Sequence, residues 1–265
     1  MTADLATGRL EAGLRSARAG GRKLLVPYVT GGLPGWERAV EAVAHAGADA
    51  IEVGIPFSDP VMDGPTIQAA SERALAAGAT PHGIIDAIAG LDVGGAPAVV
   101  MTYYNSVHRF GHERFASSLA RAGVAGAIVP DLPLEEIDPW AAAADGAGIE
   151  TILLAAPTAS EERLARICAR SRGWVYAVGL LGVTGERAEL ARSALDIAGR
   201  LKSLTDKPVL VGIGVSNADQ AAEVGAIADG VIVGSALVRR LLDGGGAEAA
   251  AAFVAELRSG LDGVA

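Results

Sequence analysis

The sequence predicts an α/β protein folded as a single (β/α)8 TIM barrel, and three observations carry that expectation. Eight short, nearly continuous apolar runs alternate along the chain with eight longer stretches of helical period. Unbroken apolar runs are what parallel strands covered on their outer face require, whereas half-exposed strands would alternate. The 265 residues suit eight βα units better than an open doubly wound sheet, and no linker or shift in composition divides them.

The elements follow in order. Residues 9–20 form an extra helix that closes the barrel bottom ahead of the first strand, 24–29. A helix over 36–46 leads to the second strand, 50–54. The helix over 66–77 is followed by another extra one, 81–91, before the third strand, 98–101. Helix 112–122, strand 126–129, helix 134–146 and strand 151–155 continue the alternation. Helix 161–171 has Thr158 and Glu161 at the spacing of a capping box, strand 174–178 precedes helix 186–204, and strand 209–213 precedes helix 217–224, with Ser216 at its N-cap position. Strand 230–233 closes the set. A short helix over 236–242 and a final one over 247–261 complete the chain.

Composition narrows the function. A chain of this length buries a full core without disulfides, and its one cysteine, Cys168, falls in a helix as a small core residue, so a reduced, cytoplasmic protein is expected. No apolar run is long enough to span a membrane, and residues 1–20 lack the apolar block of a signal peptide. The net charge of −9 disfavours nucleic acid and anionic membranes as partners. A phosphorylated substrate stays possible, because backbone amides bind phosphate without lysine.

In a barrel of this kind the chemistry sits at the carboxyl ends of the strands. Glu52 lies inside the apolar second strand, and Asp63 follows in a loop stiffened by prolines. A carboxylate is costly to bury without a purpose. In low dielectric Glu52 should hold its proton toward neutral pH while Asp63, in a wetter loop, stays ionised, which supplies an acid and a base together. The alternative is a structural Glu52 neutralised by a neighbouring arginine. Three glycine-rich turns, at 182–185, 212–216 and 234–236, fall after the sixth, seventh and eighth strands, where barrels recurrently bind phosphate.

Other chemistries lack their residues. Lys23, Lys202 and Lys207 are the only lysines and belong to the barrel bottom or an outer helix, so none is placed for a Schiff base. His108 and His112 are spaced i,i+4 with no third ligand and read as solvated surface, while His45 and His82 stand alone. No metal is expected, and acid–base chemistry without a cofactor remains, carried by Glu52 and Asp63.

The strings PYVTGGLP at 27–34, EVGIPFSDP at 52–60 with DGP at 63–65, MTYYN at 101–105, VPDLP at 129–133, GVTG at 182–185 and GS at 234–235 resemble the tryptophan synthase α subunit, in order and over essentially the whole chain. The resemblance implies a lyase that cleaves indole-3-glycerol phosphate into indole and glyceraldehyde 3-phosphate by a retro-aldol step. By it, Glu52 protonates indole C3 and manages the side-chain hydroxyl proton, and Asp63 holds and deprotonates the indole N–H. Leu25, Tyr103, Tyr176, Thr184, Ile213 and Ile232 match substrate-pocket positions, and Gly185, Gly214, Gly234 and Ser235 match the phosphate site. Asp59, Pro60, Asn105 and Asp131 match the contact surface for a β subunit in an α2β2 complex. No cofactor is implied in this chain; pyridoxal phosphate belongs to the β partner.

The chain departs from the family pattern at three places. Gly179 and Leu180 stand in the loop after the sixth strand where a serine and a polar residue are expected, Ser106 replaces a proline on the partner-facing loop, and Leu33 replaces an often acidic residue. Beside a working α subunit, a free-standing lyase that releases indole and a weakly active regulatory subunit therefore stand as alternatives.

Overall fold

The computed structural model describes residues 6–179, 187–212 and 214–264. Eight parallel strands close a barrel in chain order: β1 (Leu24–Thr30), β2 (Ile51–Gly54), β3 (Ala98–Met101), β4 (Gly126–Ile128), β5 (Glu150–Ala155), β6 (Val175–Val178), β7 (Val209–Gly212) and β8 (Gly230–Val233). The last strand returns to the first, with Leu24 opposite Gly230 and Pro27 opposite Val233. Every residue of β1, β2, β3 and β8 is buried, as unbroken apolar runs between an interior and a helical jacket demand.

The jacket comprises α2 (Trp36–His45), α3 (Pro65–Ala76), α4 (Pro81–Ile88), α6 (His112–Arg121), α7 (Asp138–Gly146), α8 (Glu161–Arg170), α9 (Arg187–Leu204), α10 (Ala218–Gly225), α11 (Ser235–Leu242) and α12 (Gly246–Asp262). Two further helices sit at the barrel ends, α1 (Arg9–Ala19) at the bottom and α5 (Tyr104–Phe110) at the mouth. The structure corrects several local expectations. Residues 104–110, read as loop, form α5, whose first amide, that of Tyr104, is held at 2.8 Å by the Asp131 carboxylate. The helix expected over 134–146 is instead a 3-10 turn, Leu134–Glu136, followed by α7, with Pro139 in the first turn of the helix. Ser160, not Thr158, caps α8 by accepting from the Arg163 amide at 3.3 Å, and Asn217, not Ser216, caps α10 by accepting from the Gln220 amide. Ser216 donates to the Gln220 side chain instead.

At the bottom, α1 buries Leu10 and Leu14 against the barrel. Its N-cap, Gly8, has no side chain to satisfy the first amides, and the buried carboxylate of Glu150 does so from β5, accepting from Leu10 N at 2.7 Å and Glu11 N at 3.0 Å. A side chain on Gly8 would collide with that carboxylate. Ion pairs fill the same end: Asp229 takes Arg18 and Lys202, and Asp49 takes Arg22 and Arg258. Lys23 and Lys207 donate to backbone carbonyls there, so all three lysines lie away from the barrel mouth. Cys168 is buried in α8, where desolvation pushes its thiol up.

Candidate active site

The barrel mouth holds a cavity of about 280 Å³ lined from β1 through β8, with Glu52, Asp63, Tyr28 and Tyr176 among its walls. Two glycines make room for the tyrosines. The hydroxyl end of Tyr28 fills the place a Gly54 side chain would need, and a Cβ on Gly212 would stand 2.6 to 3.0 Å from the Tyr176 ring. Phenols replace aliphatic filling at the top of this barrel because their neighbours on β2 and β7 end in glycine.

Glu52 sits in β2 opposite Tyr28 on β1 and Val99 on β3, and is only 4% exposed. Its Oε2 is buried and has no hydrogen-bond partner among the described residues, and no described lysine or arginine pairs with it. Among the described residues, then, no arginine neutralises it. Burial, and then the charge of Asp63, push the Glu52 carboxyl up to about 8. A free, proton-bearing carboxyl in a dry wall is an acid waiting for an acceptor.

Asp63 lies in the loop between β2 and α3, which is tied down where the Gln68 side chain donates to the Asp63 carbonyl at 2.7 Å. Tyr103 supports the same loop from beneath: its hydroxyl accepts from Met62 N at 3.1 Å, and its ring stacks on Phe57 at 5.1 Å. Burial raises the Asp63 carboxyl too, and the Tyr103 hydroxyl pulls it back. Burial thus raises both carboxyls, and the charge of Asp63 raises Glu52 further.

The opposite side of the cavity is built from backbone. Gly214, Gly234 and Ser235 line it, and α11 begins at Ser235 with Gly234 as its N-cap, so the first free amides of a helix face the cavity. Gly214 takes a positive φ of 34°, while Gly234, at −110°, does not, so its glycine is not demanded by backbone conformation. Arg239 donates to Thr66 Oγ1, and Arg240 donates to the Ala236 carbonyl and lies over the Phe253 ring at 3.7 Å. Their cationic ends are engaged there.

The sequence-predicted residues divide cleanly by placement. Glu52, Asp63, Tyr176, Ile232, Gly214, Gly234 and Ser235 converge on the cavity. Leu25 does not line it; it is fully buried within β1, its amide donating to Asp49 at 2.8 Å. Tyr103 is not a lining residue either and acts beneath the Asp63 loop. Thr184, Gly185 and Ile213, with Leu180, fall outside the described residues. Asp59, Asn105 and Asp131 are exposed and Pro60 is half-buried on the rim, beside Val61, which is 71% exposed. His112 is not simply solvated, since its Nε2 lies 3.1 Å from the Tyr104 hydroxyl.

Tyr28, Met101, Ile128 and Leu154 line the cavity without having been read from the sequence. Tyr28 had one available signal: it stands directly opposite Glu52, but only the register of β1 on β2 shows it. Among the described residues no cluster of three or more histidine, cysteine or carboxylate side chains is arranged to hold a metal.

Residues 14–260 match the family model described as tryptophan synthase alpha chain. The tryptophan synthase alpha chain of Thermobifida fusca is 46% identical over 258 residues, covering 94% of this chain and 96% of the relative. That of Streptomyces coelicolor is 46% identical over 260 residues, covering 95% and 96%. Among solved structures, Mycobacterium tuberculosis tryptophan synthase matches with a TM-score of 0.88 at 43% identity over 96% of this chain and 98% of the other. The alpha subunit of Legionella pneumophila tryptophan synthase matches at 0.86 with 32% identity, over 97% and 100%.

Proposed function

Because the chain belongs to the tryptophan synthase alpha chain family, lyases of tryptophan biosynthesis, we propose that it cleaves indole-3-glycerol phosphate to indole and glyceraldehyde 3-phosphate with Glu52 and Asp63 as its acid–base pair. One observation carries the assignment of roles: the unpartnered Oε2 of a dry, proton-bearing Glu52 stands in a cavity whose far wall is a helix N-terminus. An indole near Glu52 and Asp63 and a phosphate on the amides of Gly234 and Ser235 satisfy both ends of one molecule.

In the step that follows, the Glu52 carboxyl gives its proton to indole C3, which becomes tetrahedral and leaves the ring nitrogen positive. Asp63 accepts the N–H hydrogen bond and offsets that charge. The Glu52 carboxylate then takes the proton of the hydroxyl on the adjoining carbon. The bond from that carbon to C3 breaks, its electron pair restores the indole, and the aldehyde forms. Glu52 ends with its proton regained. The elevation of Glu52 toward neutrality suits a group that must both give and take a proton.

The reading extends to a partner. The rim carrying Asp59, Pro60, Asn105 and Asp131 flanks one side of the cavity mouth, in the loops after β2, β3 and β4, and we assign it to a tryptophan synthase β subunit, which would hold pyridoxal phosphate, with no cofactor proposed for this chain. Among the described residues no helix is long and apolar enough to cross a membrane. The cytoplasm is the expected compartment, on the strength of a biosynthetic role and a single, free, buried cysteine.

Assaying indole release by the isolated chain, with and without a β subunit, tests the proposal. Slow cleavage that depends on Glu52 and accelerates when the β subunit is added is the expected result. Full activity without a partner would make the chain a free-standing lyase, and no cleavage in either state would leave it a regulatory subunit.

A further inference from the structure

Of the two phenols that line the cavity, Tyr28 and Tyr176, it is Tyr28 that lies between the acid–base pair and the phosphate turn. Tyr28 belongs to β1, whose two neighbours in the barrel are β2, carrying Glu52, and β8, leading to the phosphate turn. The Cβ and Cδ1 of Tyr28 come within 3.5 and 3.7 Å of the point where a Gly234 side chain would start, and its hydroxyl fills the space beside Gly54. The ring thus runs along the cavity wall from the phosphate turn to the strand of the acid.

A substrate whose phosphate rests on Gly234 and whose ring is protonated from Glu52 carries its three linking carbons across β1, because β1 is the strand between. Those carbons bear two hydroxyls. The one next to the ring gives its proton to Glu52 in the reaction, so the one beyond it needs a partner of its own. A phenol hydroxyl both donates and accepts, and a buried site that hydrogen-bonds a ligand hydroxyl discriminates against the ligand that lacks it. We infer that Tyr28 is a specificity-determining residue whose hydroxyl hydrogen-bonds the second hydroxyl of the glyceryl chain, so that the site reads the polyol linker as well as the indole and the phosphate. The inference rests on the substrate proposed above.

Tyr28→Phe removes the hydroxyl and keeps the ring that packs between Gly234 and Gly54. Two numbers are compared with wild type: kcat/KM for indole-3-glycerol phosphate, and the inhibition constant of an indolylpropyl phosphate, the same skeleton without either hydroxyl. The expected result is a loss of about tenfold in kcat/KM, the worth of one neutral hydrogen bond, with inhibition by the deoxy ligand unchanged and the pH profile in place. Equal loss on both ligands would make Tyr28 a packing residue, and a displaced pH profile would mean that it acts through Glu52; either result, or no change at all, overturns the inference. The wild-type rate in the same assay tests the substrate itself. A wild type that binds the deoxy ligand but never cleaves the substrate sinks the reaction, whereas a normal wild type with an unchanged Tyr28→Phe sinks only Tyr28.

Discussion

Glu52 holds a proton to about 8, where an unfolded chain has lost it by about pH 4.3. The chemical consequence is an alkaline limb in kcat with a midpoint near 8, because only the protonated form can donate to indole C3. Glu52→Gln cannot exchange a proton, so kcat should fall at least about a hundredfold with KM little changed, and the limb should vanish. The thermodynamic consequence runs the same way with pH. Between the unfolded and folded values the native state binds more protons, so wild-type stability falls as pH rises through that window. Glu52→Gln escapes this cost. Its melting temperature should match wild type near pH 4 and exceed it at pH 9, and a variant that melts lower at pH 9 would show Glu52 to be structural. The sequence displayed Glu52 because a carboxylate interrupts an apolar run. It hid Tyr28, an aromatic residue in another apolar run, because the two meet only through the register of β1 on β2.

Among the elements, α11 carries the most specific expectation. A Cβ on Gly234 would make only ordinary contact with Tyr28, and its φ of −110° suits any residue, so the fold does not demand a glycine there. The ligand does. Gly234→Ala should melt within about two degrees of wild type, since surface-type changes of this kind cost little, while KM rises because the methyl group stands where phosphate must approach the amides. Gly234→Asp should add charge repulsion and weaken competition by glycerol phosphate further. An unaltered KM in Gly234→Ala would remove the phosphate from this turn. At this scale the alternation of strands and helices was legible, and the errors were local ones of backbone chemistry. Ser160 and Asn217 took the caps assigned to Thr158 and Ser216, because caps depend on where the chain turns and not on spacing alone. The helix α5 escapes the sequence because it is only about two turns long and is anchored from outside, by Asp131 of another loop.

Over the whole molecule, the net charge of −9 and the backbone phosphate site act in opposite directions on an anionic substrate. Added salt screens both, and the helix-terminus attraction is short-ranged. The KM of indole-3-glycerol phosphate should therefore move by less than about threefold between low and high ionic strength; a rise of tenfold or more, traced by a salt titration of KM, would point to a lysine or arginine gripping the phosphate. Barrel closure itself was legible from eight runs in 265 residues, but the packing of the bottom was not, because it joins positions far apart. Glu150 is the clearest case: it caps a helix 140 residues earlier in the chain. During synthesis α1 emerges well before β5, and the amides of Leu10 and Glu11 have no carboxylate to receive them until Glu150 has been made. Helix α1 is thus a latch thrown late, and a nascent protein stopped before Glu150 would leave the ribosome with that latch open.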